Sequence, residues 1–175
     1  MLPWPSYSRT VTGIGVSQNS LTVSKVGTSN GTVTSNPPGI VCGADCSEFY
    51  NSGMVVTLNA APASGSLFAG WSGCDSALGT TCNVTMTADR TVTATFVTPL
   101  SIGTALPPSG EAGVFYNFDL PVSGGLPPYI VTLTKGAIPP GLGFGSPKIT
   151  GTPTSAAKAS FTVQVSDQLG ASVIR

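Results

Sequence analysis

The stretch that decides the fold, residues 40–82, reads IVCGADCSEFYNSGMVVTLNAAPASGSLFAGWSGCDSALGTTC. It contains all four cysteines, spaced as one C-x3-C pair and one C-x7-C pair, and one of the two tryptophans, Trp71. Between the pairs, Val56, Leu58 and Ala60 alternate with polar residues, as in a half-buried β-strand. The pattern predicts a small β-domain held by disulfide bonds, and no residue in it looks catalytic.

Composition narrows the fold class and the range of partners. Charged residues make up only 8% of the 175 residues, and Lys+Arg equals Asp+Glu. This balance argues against nucleic acid as a partner and against an anionic membrane, because both require clustered cations. No apolar run approaches the roughly 20 residues of a membrane span. With 22 Gly and 15 Pro punctuating the chain, the composition predicts an all-β protein with short strands.

The two ends and the cysteines bear on localisation. The first residues, MLPWP, lack the basic region and the apolar core of a signal peptide. Paired cysteines and low charge suit an oxidising, extracellular setting. Residues 171–175 look like a strand that has barely begun. We therefore expect an internal piece of a longer secreted protein.

The four cysteines allow two kinds of site. The structural interpretation is two local disulfides, Cys42–Cys46 and Cys74–Cys82; the alternative is a four-thiolate zinc site. In the loop-closure model the local bonds stabilise by roughly 2 and 2.6 kcal/mol, and a Cys42–Cys82 bond by about 3.9 kcal/mol, so stability alone does not choose. Short loops close more readily, which favours the local pairs.

The strand pattern also predicts connections. Residues 1–19 are a lead-in, in which 10–16 is either the closing strand of a preceding domain or a frayed tail. The runs 21–26 and 31–35 flank Asn30-Gly31, a strong hairpin signal. The runs 84–88 and 92–96 are expected to form a second hairpin, whose apolar face covers Phe68 and Trp71.

Five motifs of the first half occur together: GTVTS at 31–35, GIVCG at 39–43, VTL at 56–58, FAGWSGC at 68–74 and VTATF at 92–96. With Cys46 and Cys82, this combination resembles the divergent internalin B-type repeat of bacterial secreted and surface proteins. The resemblance covers about residues 21–97. It implies a compact β-module without known chemistry of its own, here a domain over residues 20–98 with two disulfides.

Beyond Thr98-Pro99, the predicted boundary, the cysteines stop and the prolines multiply. The motifs there are GVFY at 113–116, GGLPPY at 124–129, PPGL at 139–142, ITGTP at 149–153 and FTVQVSD at 161–167. They resemble the Ig/cadherin-like domain of bacterial surface proteins, which implies a β-sandwich over residues 99–175. The family pattern continues through one further strand that this chain mostly lacks. We therefore expect an incomplete sandwich with an exposed sheet edge and apolar face.

Catalytic chemistry is not expected. The chain has no histidine, which excludes a Ser-His-Asp catalytic triad and a Cys-His catalytic dyad. Asp45, Glu48 and Asp75 lie near the cysteine loops and would make an acid–base site only if they converged. We interpret them as solvated loop charges, and predict that the chain is not an enzyme and needs no organic cofactor.

Calcium is the one metal that the second resemblance suggests, because cadherin-like domains gather carboxylates at domain junctions. Glu111 and Asp167 are the candidate ligands, with Asp119 a weaker third. The family's clustered Asp-x-Asp signals are absent from this sequence.

The aromatic residues offer the other candidate surface, since exposed rings can stack on sugars. We predict that Trp71 packs in the core with Phe68, and that Tyr129 packs at a strand start; Trp4 is less constrained. The favoured function is a structural or adhesive spacer on a bacterial cell surface or outside the cell. Its partners are neighbouring domains and a surface glycan or protein; the rival is a carbohydrate-binding accessory of a secreted enzyme.

Overall fold

A computed structural model describes residues 15–175. All of the secondary-structure elements in that range are β-strands, as predicted. The first half contains β1 (Gln18–Val26), β2 (Gly31–Asn36), β3 (Val41–Cys42), β4 (Ser47–Asn51), β5 (Val55–Pro62), β6 (Leu67–Ser72), β7 (Ser76–Leu78), β8 (Thr81–Thr85) and β9 (Arg90–Val97). The second half contains β10 (Ser101–Ile102), β11 (Tyr116–Asp119), β12 (Val122–Ser123), β13 (Ile130–Gly136), β14 (Leu142–Gly145), β15 (Lys148–Gly151), β16 (Phe161–Ser166) and β17 (Ser172–Ile174). Within residues 15–175 there is no helix able to cross a membrane.

Two sheets form the first half. One has the strand order β4-β1-β9-β6 and the other the order β3-β2-β5-β8-β7. The pairing of β1 with β9 is parallel, and the remaining pairs are antiparallel. Both sheets contribute side chains to one buried cluster. The arrangement is a two-layer sandwich with its core between the sheets.

The predicted alternation along the strands is confirmed. In β5 the side chains of Val56 and Leu58 are fully buried, while those of Val55 and Asn59 are exposed. Val92, Ala94 and Phe96 of β9 are likewise buried, with threonines between them. Successive strand residues point to opposite faces, so the apolar set of each strand faces the opposing sheet.

The first predicted hairpin is wrong. Strands β1 and β2 lie in different sheets, so the Asn30-Gly31 segment crosses between layers. Ser29 donates a backbone hydrogen bond to the Phe96 carbonyl at 3.1 Å, and Gly27 adopts a positive φ of 109° beside the same carbonyl. The connection therefore packs across the end of β9 instead of turning back within one sheet.

The second predicted hairpin is also wrong, because β8 and β9 belong to different sheets. The connection between them is held against the start of β1. The Asn19 side-chain amide donates to the Met86 carbonyl at 2.7 Å, and the Asp89 carboxylate accepts from the Ser20 amide at 2.7 Å. Phe68 and Trp71 instead lie on β6, which pairs with β9.

The second half has two three-stranded sheets, β11-β15-β14 and β13-β16-β17, and a short β10-β12 ladder. Its buried apolar side chains are fewer than those of the first half. They include Leu100, Leu120, Ile149, Val163 and Val165. This half is therefore a sandwich with a thin core.

The predicted boundary, Thr98-Pro99, lies between β9 and β10, and Thr98 is hydrogen-bonded to both sandwiches. The Thr98 amide donates to Thr28 Oγ1 at 3.2 Å, on the side of the first sandwich. The Thr98 carbonyl accepts from the Gly125 amide at 2.8 Å, on the side of the second. Val97 and Leu100, on either side of the boundary, are 2% and 8% exposed. The junction is thus a packed segment.

Candidate interaction surfaces

The disulfides join Cys42 to Cys46 and Cys74 to Cys82, with Cα–Cα distances of 4.3 and 5.7 Å. These are the local pairs that loop length favours, and no cysteine is free to form the alternative zinc site. Cys42 and Cys82 are fully buried in the core, and their partners pack against it. The bonds therefore tie the loops around residues 43–45 and 75–81 to the core.

Removing the second bond by the double substitution C74A/C82A should lower the free energy of unfolding by about 2.6 kcal/mol, and C42A/C46A by about 2 kcal/mol, from loop entropy alone. Urea unfolding of the oxidised protein, followed by tryptophan fluorescence, measures both. Reduction of the wild type with dithiothreitol should reproduce the sum, while the quadruple alanine variant should not respond to it. A non-reducing peptide map that linked Cys42 to Cys82 would contradict the pairing.

Trp71 is half-buried and packs as predicted. Its ring lies edge-to-face with Phe68 at 5.2 Å, and Phe68 in turn contacts Phe96 at 5.5 Å. The indole Nε1 is buried and finds no hydrogen-bond acceptor among residues 15–175. Trp71 therefore extends the core, with its indole N–H turned away from solvent.

The tyrosines within residues 15–175 are also at least half-buried. Burial raises the pKa of Tyr50 and of Tyr116 above the ordinary tyrosine value. Tyr129 donates to the Gly124 carbonyl at 2.7 Å, which makes it a packing residue. Trp4 lies outside the described residues. The described tryptophan and tyrosines thus offer no exposed ring for sugar stacking.

The three carboxylates near the cysteine loops have separate partners. Asp45 accepts from the Ser47 amide at 3.2 Å, and Glu48 from the amide of the following residue at 2.7 Å. Asp75 accepts from the Thr85 amide at 2.6 Å and pairs with Arg90 at 2.8 Å. The Thr85 hydrogen bond, followed by Arg90, holds the Asp75 pKa below its ordinary value. Each carboxylate thus stabilises its own turn or strand end.

The calcium candidates have different surroundings. Asp167 is only 6% exposed, and its oxygens accept from the amides of Leu126, Leu169 and Ala171 at 2.9–3.0 Å. Glu111 is exposed, and Asp119 pairs with a lysine, Lys148, at 3.0 Å. Nowhere in residues 15–175 do three or more His, Cys, Asp or Glu side chains form a group suited to a metal. The calcium hypothesis therefore gains no support from this geometry.

A groove with a largely apolar wall lies in the second half. Its volume is about 1020 Å³, and its apolar wall includes Ile102, Leu106, Tyr116, Leu142, Phe161 and Val163. It lies between the coil that precedes β11 and the segment that enters β16. We call it the Ig groove. Sequence reasoning predicted an exposed sheet edge and apolar face in this half, and did not locate the groove.

Comparison with family models gives the two halves their names. Residues 21–99 match the divergent InlB B-repeat domain, and residues 94–174 match the family described as "Putative Ig domain". The chain thus carries matches to these two families in tandem. Both assignments agree with the sequence resemblances. No curated protein matches the chain.

The B-repeat domain and the Ig domain, together with the disulfides, are typical of extracellular or surface proteins. They indicate a structural or adhesive module of a bacterial surface protein.

Proposed function

We propose that the chain is a non-catalytic spacer of a large bacterial extracellular or cell-surface protein. It holds neighbouring domains of the same polypeptide apart, and it contributes weak adhesive contacts to a surface glycan or protein. The observation that carries this proposal is the bonded junction at Thr98.

A spacer transmits position only if its joints resist bending. A flexible Gly/Ser linker behaves as a random coil, whereas this junction is fixed on both sides. The Thr98 amide is held by Thr28 of the B-repeat domain, and its carbonyl by Gly125 of the Ig domain. Gly124, with a positive φ of 69°, brings its backbone against the Pro99 carbonyl, where a Cβ would overlap. These contacts support a stiff connection between the two domains.

The non-catalytic part of the proposal rests on side-chain chemistry. General acid–base catalysis needs a titratable group within reach of a substrate, with its pKa tuned towards neutrality. The Thr85 hydrogen bond and Arg90 move the pKa of Asp75 down, away from neutrality. Its oxygens already accept from Thr85 and Arg90. Such a group supports a stabilising role.

Gly124→Ala tests the stiff junction. The added methyl group would overlap the Pro99 carbonyl, so we expect the two domains to separate at this joint. Small-angle X-ray scattering, recorded below the melting transition of the variant, should show a larger maximum dimension and a broader distance distribution than the wild type.

The matched control is Gly170→Ala, which has a similar positive φ of 82° but open space around its Cβ. It carries the same kind of backbone strain and should scatter like the wild type. If the wild type were already as broad as Gly124→Ala, the stiff-spacer proposal would fail. Specific binding on a glycan panel by a rigid wild type would favour the carbohydrate-binding accessory instead.

A further inference from the structure

The Asn30-Gly31 step has surroundings that bear on its chemistry, apart from the connection that it makes between the two sheets. Asn30 is exposed, so its side chain is open to water. Its backbone carbonyl accepts from the Ala63 amide at 3.0 Å, and the Gly31 carbonyl accepts from the Lys25 ammonium at 2.9 Å. Hydrogen-bond donors thus hold the carbonyl oxygens on both sides of the Gly31 nitrogen.

The strand register leaves the N–H of Gly31 outside both ladders of β2. The Ser35 amide donates to the Ile40 carbonyl at 3.1 Å, on the side of β3. Alternate residues of a strand direct their N–H groups to the same side, so the N–H of Gly31 also points away from β5. On that side, β3 pairs only with residues 33 and 34. The Gly31 nitrogen therefore donates to neither neighbouring strand.

An asparagine followed by glycine can react with its own backbone. The Gly31 nitrogen, after losing its proton to water, attacks Cγ of the Asn30 side chain, and the new C–N bond closes a five-membered succinimide ring. The side-chain nitrogen takes up a proton and leaves as ammonia. Water then opens the ring at one carbonyl or the other, which gives aspartate or isoaspartate. Glycine has no Cβ to obstruct the attack, and the reaction needs no oxidant, metal or enzyme.

The surroundings favour the first step, in which the Gly31 nitrogen becomes an anion. Its negative charge is shared with the Asn30 carbonyl oxygen by resonance, and that oxygen already accepts from Ala63. The Lys25 ammonium lies at the next carbonyl and attracts the same charge. Donors and positive charge that are in place before charge develops lower the barrier of a reaction.

Two other asparagines precede a small residue, serine, but have different surroundings. The side chain of Asn51 accepts from a glutamine amide at 3.3 Å, and the amide of Ser52 donates to the Ser17 carbonyl at 2.8 Å. The side chain of Asn19 donates to a backbone carbonyl at 2.7 Å, and the amide of Ser20 donates to a carboxylate at 2.7 Å. Each of these amides would have to lose a hydrogen bond before it attacked, so both sites serve as internal controls.

We propose that Asn30-Gly31 is a self-modification site, at which the folded protein converts Asn30 to aspartate and isoaspartate. Isoaspartate adds one methylene group to the main chain of the connection that packs across the end of β9. The hydrogen bond from Ser29 to the Phe96 carbonyl fixes that connection, so the longer chain should loosen the B-repeat domain. The site goes beyond the spacer role and does not depend on it, because the reaction requires neither the junction nor a partner.

The test incubates the full 175-residue chain at mildly alkaline pH and follows it by peptide mass spectrometry that separates aspartate from isoaspartate. Asn30 should react well before Asn19 and Asn51. The rate should rise about tenfold for each pH unit, because the deprotonated fraction of the Gly31 nitrogen does so. Asn30→Gln should be inert on the same timescale, since its side chain would have to close a larger ring.

Lys25→Met removes the positive charge and keeps an apolar stem. In the folded protein it should slow the reaction of Asn30 by about tenfold. The matched control is Lys135→Met, which makes the same change at an exposed site of the Ig domain and should react like the wild type. In urea, where the contact with Lys25 is lost, both variants should react as fast as the wild type. Circular dichroism melting shows whether each variant is folded.

The wild type alone decides the case if Lys25→Met does not fold. Asn30 should react at least as fast in the folded protein as in urea, and protein enriched in isoaspartate should unfold at a lower urea concentration than fresh protein. Aged Asn30→Gln should keep its midpoint. Three outcomes would overturn the proposal: an Asn30 that reacts in urea but not in the folded protein, a folded Lys25→Met that reacts at the wild-type rate, and equal rates at Asn30 and Asn51.

Discussion

Asp167→Ala should lower the free energy of unfolding of the Ig domain by about 3–5 kcal/mol. The carboxylate is nearly buried and accepts three backbone amides, those of Leu126, Leu169 and Ala171. Alanine leaves these donors without an acceptor, and each buried unsatisfied donor costs about 1–3 kcal/mol. Leu169 and Ala171 are exposed enough for water to recover part of the loss, which sets the lower end of the range.

The thin core makes this loss consequential. Few apolar side chains of the Ig domain are buried, and the aliphatic ones are Leu100, Leu120, Ile149, Val163 and Val165. Small domains have total free energies of unfolding of only about 5–15 kcal/mol, so the expected loss is a large fraction of the stability of the Ig domain. Scanning calorimetry should show the Ig transition shifted sharply downward while the B-repeat transition stays in place.

Asp119→Ala is the control for removing a carboxylate from the same domain. Asp119 pairs with Lys148 at the surface, where ion pairs contribute about 1 kcal/mol or less. The Ig transition of Asp119→Ala should therefore barely move.

An effect of calcium would contradict the role of Asp167 as an acceptor of backbone amides alone. If a chelator lowered the wild-type Ig transition as far as Asp167→Ala does, and left the variant unchanged, Asp167 would act through a bound ion, with Glu111 its candidate co-ligand.

Local patterns predicted the strands well, and the partners of those strands poorly. The period of two in β5 and β9 follows from which face of one strand is buried, and the sequence displays it directly. Pairing joins distant residues: β1 aligns parallel with β9, so that Val23 lies opposite Val92. The Asn30-Gly31 signal was misleading because it describes local turn preference, which the packing of two sheets overrides.

The role of Asp167 was partly readable from the sequence. Asp167 directly follows β16 and is followed by Gln-Leu-Gly, and an Asp at such a position commonly accepts from amides two residues onward. The resemblance to cadherin-like domains instead suggested a calcium ligand. The third donor, the amide of Leu126, is 41 residues away in sequence, so no local pattern predicts its hydrogen bond to Asp167.

The second large effect is expected at Phe96→Ala, which should destabilise the B-repeat domain by about 3–5 kcal/mol. Phe96 is fully buried and stacks edge-to-face on Phe68 at 5.5 Å. Its ring also fills the space above Gly31, where a Cβ would overlap Cε1. Urea unfolding monitored by the fluorescence of Trp71, which contacts the same cluster through Phe68, measures the loss.

A double-mutant cycle with Gly31→Ala separates this contact from simple cavity formation. In the wild type, the methyl group displaces the ring and should cost about 1–3 kcal/mol. In Phe96→Ala the ring is gone, so the same methyl group enters empty space, and the double variant should be more stable than the sum predicts by about that amount. Gly53→Ala, whose Cβ meets nothing within 4 Å, should instead add to Phe96→Ala without coupling. If Gly31→Ala and Phe96→Ala were also additive, the methyl group at residue 31 would not contact the Phe96 ring. Gly31 would then be required only for the connection between the two sheets, and the predicted contact would be wrong.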